Sequence, residues 1–165
     1  MTITVIDWVD LFIRPVYKEI LLDALQFCKK GKGLTIHGYC IMTSHIHLIV
    51  SSEKESLNDI IRDFKKFTSK ELVRVIKEIP ESRRKWLLRK FEYAAGRIKK
   101  GVNYKLWKDG FHPVELNTNQ MIDERLAYVH NNPVAAGITW TPEGYKYSSA
   151  SNYAGIESLI DIDLL

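Results

Sequence analysis

The chain has 165 residues, of which 45% are hydrophobic and 27% are charged. This length and composition predict one soluble globular domain over residues 1–165, and no stretch is apolar for long enough to cross a membrane. The 24 lysines and arginines outnumber the 20 acidic residues, and the net charge of +4 permits a polyanionic partner without requiring one. The two cysteines, Cys28 and Cys40, form neither a disulfide framework nor a zinc motif, so we expect a cytoplasmic protein.

The N-terminal part of the chain predicts a strand, a helix and a β-hairpin. Residues 2–13 are rich in β-branched and aromatic side chains, which favours a first strand. Pro15 suits the first turn of a helix that Gly31 would end. Residues 34–42 and 45–50 then predict two strands joined by a tight connection.

The middle of the chain predicts two basic helices and a second, shorter hairpin. Ser56 is a candidate N-cap for a long helix that Pro80 ends. A second basic helical stretch runs as far as Gly101, and the Asp-Gly pair at 109–110 predicts a tight turn whose return strand is 114–116. The basic residues of the second stretch are Arg83, Arg84, Lys85, Arg89, Lys90, Arg97, Lys99 and Lys100.

A last long helix begins near Asn119, and Pro133 should end it near Asn132 or bend it. Residues 138–165 contain further prolines and glycines and predict an irregular C-terminal tail. The order strand, helix, hairpin, helix and further strand predicts an α+β fold. We expect a ferredoxin-like sandwich, in which helices pack mainly on one face of an antiparallel β-sheet.

Two histidines stand next to each other on the second strand of the first hairpin. His45 and His47 are separated by one residue, so their side chains share one face of the strand, about 7 Å apart at their Cα atoms. Ile46 and Leu48 point to the opposite face, into a core. Two imidazoles can bind a divalent metal ion, but two ligands are too few for a good site.

The last predicted helix offers two polar groups one turn apart. Tyr128 and Asn132 are spaced i and i+4 and therefore project together, beside the apolar stripe formed by Ile122, Leu126 and Val129. A carboxamide oxygen suits a hard cation such as Mg²⁺ or Mn²⁺. Asn132 is thus a candidate third ligand, and the Tyr128 phenol would lie near the same ion.

Each of these patterns, taken alone, has a commoner structural explanation. A His-x-His on a strand is more often a pair of ordinary polar residues, a tyrosine at a helix–core border more often packs there, and an asparagine before proline more often ends a helix. A zinc-dependent hydrolase is an alternative from another enzyme class. It would use His45, His47 and either His112 or His130 as ligands, and would leave Tyr128 idle.

Several motifs occur together and in a fixed order. They are His45-Ile46-His47 after an apolar strand and Met42, Arg62-Asp-Phe-Lys65-Lys66-Phe-Thr68-Ser69, Leu106-Trp107-Lys108, Tyr128-Val-His-Asn-Asn132-Pro133-Val134, and Tyr145-Lys-Tyr-Ser-Ser-Ala-Ser-Asn-Tyr153. This ordered set resembles the HUH-type single-tyrosine transposases, in particular the IS200-like branch called REP-associated tyrosine transposases. One departure is Thr43-Ser44, where that family commonly has Pro-Asn, but the histidine spacing is intact.

The resemblance implies an enzyme that cuts and rejoins single-stranded DNA beside an imperfect hairpin. By the matching motifs, His45, His47 and Asn132 are the ligands of a divalent metal, Mg²⁺ or Mn²⁺. Tyr128 is the nucleophile, and its attack on a phosphodiester leaves a 5′-phosphotyrosine and a free 3′-OH that permits strand transfer.

The expected partner is single-stranded DNA with hairpin, palindromic ends, and no membrane. Arg62, Lys65 and Lys66 are candidate contacts to its phosphates. A host-adopted protein of the same fold, which binds DNA hairpins without transposition activity, is the alternative function. A homodimer and a monomer both remain open.

Overall fold

A computed structural model describes residues 1–96, 101, 103–111 and 113–165. Within these residues the sheet has three antiparallel strands in the order β1-β3-β2. They are β1 (Thr2–Thr4), β2 (Leu34–Ile41) and β3 (His45–Ser52). The strand that carries the histidines is therefore central and is held from both sides.

The helices are α1 (Pro15–Lys32), α2 (Leu57–Glu78), α3 (Arg84–Gly96), α4 (Asn119–Ala135) and α5 (Ala150–Tyr153). Single turns of 3-10 helix cover Ile6–Trp8 and Pro142–Gly144. Helix α1 packs against α2 and β2, whereas α4 lies against β2 and β3. The predicted α+β class, an antiparallel sheet with helices packed on it, is confirmed.

The core forms where apolar helix stripes meet the sheet. Leu25 of α1, Phe64 of α2 and Ile46 of β3 are almost fully buried. Burying each of these side chains contributes roughly 1.5–3 kcal/mol to folding. On the other side of the sheet, Val129 of α4 is also buried. Gly38 of β2 allows α4 to pack this close to the sheet, because a Cβ at position 38 would lie only 3.1 Å from the Leu126 Cδ1 of α4.

Two N-terminal boundaries differ from the predicted ones. The first strand ends at Thr4, because Asp7 and Trp8 take φ angles of 50° and 53°, which an extended strand cannot include. Left-handed backbone of this kind costs a non-glycine residue roughly 1–2 kcal/mol. Helix α1 passes through Gly31 and ends at Lys32, where Gly33 takes the left-handed C-cap conformation at φ 73°.

The predicted hairpin at residues 106–116 is wrong for the residues that the structure describes there. The Trp107 backbone bridges Val5 instead, the Lys108 N–H donates to the Thr4 carbonyl at 2.9 Å, and the Ile6 N–H donates to the Leu106 carbonyl at 2.9 Å. The segment thus pairs with the chain around the end of β1 rather than with itself. His112, Arg97, Lys99 and Lys100 lie outside the described residues.

Pro133 lies inside α4, which continues to Ala135 rather than ending near Asn132. Proline removes one backbone donor, but the Ala136 N–H still donates to the Asn132 carbonyl and closes the last turn. None of the helices in the described ranges is both long and apolar enough to cross a bilayer.

The segment after α4 packs along the free edge of β2. The Ile41 N–H donates to the Tyr147 carbonyl at 2.9 Å, and the Ser149 N–H donates to the Tyr39 carbonyl at 2.9 Å. The Tyr145 hydroxyl donates to the Ile41 carbonyl at 2.7 Å. These bonds satisfy backbone groups that an open sheet edge would leave unpaired.

Candidate active site

The two histidine rings of β3 converge on one point. Their Nε2 atoms lie 3.1 Å apart, and the ring centroids are separated by 4.7 Å. Two nitrogen ligands that each lie about 2.0–2.1 Å from one metal ion are themselves roughly 3 Å apart. The spacing of His45 Nε2 and His47 Nε2 therefore fits joint coordination of a single ion.

The other nitrogen of each ring is held by a hydroxyl group. His47 Nδ1 is hydrogen-bonded to the Thr2 hydroxyl of β1 at 2.9 Å, and His45 Nδ1 to the neighbouring Ser44 hydroxyl at 3.1 Å. In the tautomer that donates from Nδ1, each Nε2 keeps a free lone pair. Such outer partners orient metal-binding histidines and set their tautomer.

Burial keeps both imidazoles neutral at pH 7. It lowers the pKa of His47 to about 4; repulsion from His45, when that ring is protonated, acts in the same direction, and a hydrogen bond with the Asn132 side chain acts against it. Burial also lowers the pKa of His45, against the attraction of Asp10. A neutral imidazole is the form that binds a metal ion.

Helix α4 brings Tyr128 and Asn132 to the same histidines. The Tyr128 ring stands edge-on to the His47 ring at a centroid distance of 5.5 Å and is 51% exposed. The Asn132 amide group donates to the Tyr128 backbone carbonyl at 2.7 Å. Its carboxamide oxygen is then the atom left to meet a cation.

These four side chains line one open cleft, with a volume of about 1170 Å³, which we call the histidine cleft. No cluster of three or more His, Cys, Asp or Glu side chains suited to a metal ion occurs in the described part of the chain. Among the described residues, a third ligand for His45 and His47 would therefore have to be of another type. Asn132, in contact with His47, has the position and the oxygen donor for that role.

His130 is not the third zinc ligand that the hydrolase alternative requires. Its Nε2 is hydrogen-bonded to the Ser149 hydroxyl at 2.8 Å, and its ring packs on Tyr153 at 5.2 Å. His130 thus joins α4 to the segment along the β2 edge. Its position on a different helix face from Tyr128 follows from the spacing of two residues.

The three candidate phosphate contacts have different surroundings. The Arg62 guanidinium pairs with Asp59 and Asp63 on its own helix. The Lys65 ammonium group donates to the backbone carbonyls of Lys108 and Gly110 at 2.7 and 3.1 Å. Lys66 is exposed and forms no ion pair within the described ranges.

Lys65 and Lys66 line a second depression, which runs between α2 and residues 103–109. We call it the basic groove, because seven cationic side chains line it. These side chains are Lys65, Lys66, Lys70, Arg74, Lys77, Lys105 and Lys108. Lys108 and Asp109 border both the basic groove and the histidine cleft, so the two depressions adjoin.

Two residues of the histidine cleft, Arg125 and Trp8, have no counterpart in the sequence-based prediction, and a third, Lys108, was noted there only as part of a motif. The Arg125 guanidinium lies 5.5 Å from the centre of the Tyr128 ring, and its spacing of i−3 from that tyrosine was a usable signal. Trp8 stands edge-on to His45 at 5.3 Å, and Lys108 lies beside it. No local pattern connects residue 8 with residue 45 or 108.

Comparison with known proteins agrees with this architecture. A family model described as Transposase IS200 like matches residues 9–132. The structure of a REP-associated tyrosine transposase bound to a REP hairpin is similar with a TM-score of 0.63 and 15% sequence identity, over 99% of this chain and 84% of that chain, and so shows the same fold. No curated protein matches the chain. Since the family model covers well over half of the sequence, the chain belongs to the IS200-like transposase family.

Proposed function

We propose that this transposase is a metal-dependent enzyme that cuts and rejoins single-stranded DNA beside a hairpin, with Tyr128 as the nucleophile. The observation that carries the proposal is the convergence of two neutral imidazoles, one carboxamide and one accessible phenol in the histidine cleft. A hairpin substrate is inferred from the structurally similar protein, which was solved bound to a REP hairpin.

His45, His47 and Asn132 would hold the metal ion, Mg²⁺ or Mn²⁺. When bound, such an ion neutralises negative charge that builds on a phosphodiester during displacement. The residues of the chain do the remaining work. Thr2 and Ser44 orient the two rings. The hydrogen bond from the Asn132 side-chain amide to the Tyr128 carbonyl holds the third ligand against the helical turn that carries the nucleophile.

Tyr128 supplies the oxygen that attacks phosphorus. Its phenolic oxygen forms the new P–O bond, its proton is lost, and the bond from phosphorus to the 3′ oxygen breaks. The departing 3′ oxygen takes up a proton and becomes a free 3′-OH, while the 5′ phosphate stays on the tyrosine. Because the phosphodiester energy is retained in the phosphotyrosine, another 3′-OH can reverse the step and join a new strand.

The test is a covalent-adduct assay with the whole chain. Labelled single-stranded hairpin DNA, taken from palindromic repeats beside the gene, is incubated with the protein and Mn²⁺ and run on a denaturing gel. The wild type should give a protein–DNA band that EDTA prevents. Tyr128→Phe should bind the DNA and give no band, because it keeps the ring and loses the attacking oxygen.

Tyr93→Phe is the matched control, since it removes the hydroxyl of another exposed tyrosine, on α3. An adduct that survives in Tyr128→Phe would remove this residue from the role. Tight hairpin binding by the wild type without any adduct would instead support a host-adopted, hairpin-binding protein of the same fold. Tightly bound zinc in the purified protein would support the hydrolase.

A further inference from the structure

Trp8 is a large apolar side chain in a place where folding alone does not require it. It is 55% exposed, and it follows Asp7 in a turn where both residues have positive φ. Positive φ in a bulky residue is an outlier, because the Cβ crowds the backbone. Glycine would relieve that crowding, and the exposed indole gains little from burial in return.

Strained residues of this kind cluster at functional sites. The position of Trp8 agrees with that tendency, because its ring forms part of the wall of the histidine cleft. It stands edge-on to the His45 ring, with the centroids 5.3 Å apart. Trp8 also precedes the part of the chain that the family model matches.

Lys108 accompanies the indole. Its ammonium group lies 5.1 Å from the centre of the Trp8 ring and forms no ion pair in the ranges described. An exposed aromatic ring, with a cation over its face that forms no ion pair in the described ranges, matches the two parts of a nucleotide. The base presents a π-face that stacks on aromatic rings, and the phosphate presents the negative charge.

The backbone holds this pair in a fixed relation to His45. Thr4 is the register partner of His45 on β1, and its carbonyl accepts from the Lys108 N–H at 2.9 Å. The Val5 N–H donates to the Ser44 carbonyl at 2.9 Å. Lys65 ties the Lys108 carbonyl from the side of α2 at 2.7 Å. Lys108 and the chain that leads into Trp8 are therefore tied by backbone hydrogen bonds to β1 and to the turn before His45.

We infer that Trp8 is the stacking platform for an unpaired base next to the scissile phosphate, and that Lys108 binds the phosphate of the same nucleotide. The inference rests on the proposed function and specifies how its substrate is held. An incoming base takes the place of the ammonium group at the ring, and the flexible lysine side chain meets the phosphate instead. Stacking of this kind tolerates any base, since every base has a π-face.

The experiment measures base stacking without cleavage, in protein that carries Tyr128→Phe. The probes are fluorescent dT10 and an abasic oligomer with the same number of phosphates, and binding is followed by anisotropy. The starting protein should prefer dT10. Adding Trp8→Ala should reduce that preference by roughly fivefold or more, the range expected from losing one aromatic–base stack. Trp8→Phe should keep most of it.

Trp140→Ala is the matched control, because Trp140 is 97% exposed and is not part of the wall of the histidine cleft. It should leave the preference for dT10 unchanged. Melting curves show that the fold is intact, and Trp8→Gly should melt no lower than Trp8→Ala because glycine accepts the positive φ.

Three results would overturn the inference. They are no preference for dT10 in the starting protein, an undiminished preference after Trp8→Ala, and an equal loss of affinity for both oligomers. None of them depends on cleavage. The covalent-adduct assay with Tyr128 intact fails or succeeds separately, so the failure of the stacking role and the failure of the proposed function are distinguishable.

Discussion

The histidine cleft and the basic groove differ in how their functional groups are held. In the cleft, His45 and His47 are desolvated, and each ring is fixed by a hydroxyl on Nδ1. In the groove, Lys66 and Lys70 are exposed and form no ion pair within the described part of the chain. The first arrangement suits positioned chemistry, and the second suits attraction of a polyanion at little conformational cost.

The difference teaches how a net charge of only +4 can serve a DNA enzyme. Eight lysines and arginines in the described part of the chain form ion pairs with acidic residues, as Arg74 does with Glu71 and Glu78. Four lysines of α2 that form no ion pair within the described ranges line the basic groove, namely Lys65, Lys66, Lys70 and Lys77. The basic groove adjoins the histidine cleft at Lys108 and Asp109, so the proposed DNA-binding surface is continuous with the proposed catalytic site.

Breaking the cleft should have the largest effect. We expect His47→Ala to lower the yield of covalent adduct at least a hundredfold, because one of the proposed metal ligands is lost, while hairpin affinity changes only a few-fold. Thr2→Val removes only the hydroxyl that orients the ring and should cost 10–100-fold in metal affinity. Titration of adduct formation with Mn²⁺ separates the two variants, since excess metal should rescue Thr2→Val alone.

A His47→Ala protein that forms adduct at the wild-type Mn²⁺ concentration would contradict this assignment. So would a Thr2→Val protein that excess Mn²⁺ cannot restore while its melting temperature is normal. In that case the Thr2 hydroxyl would act on something other than the orientation of His47.

Removing charge from the basic groove should have an intermediate effect, on hairpin affinity rather than on adduct formation. The double variant Lys66→Gln, Lys70→Gln should weaken hairpin binding roughly tenfold and lower the slope of log affinity against log salt by about 1.5, since two phosphate contacts are lost. At saturating DNA the rate of adduct formation should stay near that of the wild type. Anisotropy between 50 and 200 mM salt measures the slope.

Lys30→Gln removes the same charge from an exposed position on α1 that borders neither depression. It should leave the salt slope almost unchanged. Equal effects from Lys30→Gln and from a single groove variant would mean that DNA responds only to total charge. The distinction between groove and general surface would then be lost.

The parts of this site that could be predicted are those set by local spacing. The i, i+2 relation puts His45 and His47 on one face of β3, and the i, i+4 relation puts Tyr128 and Asn132 on one side of α4. Their meeting is a long-range fact that no spacing contains. It depends on contacts such as Leu126 against Gly38, and only the family resemblance anticipated it.

The remaining features of the site could not be predicted from the sequence, because they depend on backbone pairing between distant segments. Nothing in the sequence marks Trp8 for a positive φ, since a non-glycine residue at such an angle carries no signal. The Asp-Gly pair at 109–110 is a sound local turn signal, yet the chain before it pairs with the region of β1. Gly31 and Gly33 are equally good stop signals, and tertiary packing selects the second.

The smallest effect should come from Arg62, which shares α2 with Lys66 and stands one turn before it. Its guanidinium already faces Asp59 and Asp63, so it adds little net positive charge at the surface. We expect Arg62→Gln to change hairpin affinity less than twofold and to leave stability almost unchanged, as is usual for an exposed ion pair. Fluorescence anisotropy measures the hairpin affinity of Arg62→Gln and of Lys66→Gln at the same salt concentrations, so the two variants are compared on one helix. A loss as large as that of Lys66→Gln would show that DNA displaces the two carboxylates and crosses this face of α2, which would extend the phosphate path beyond the basic groove.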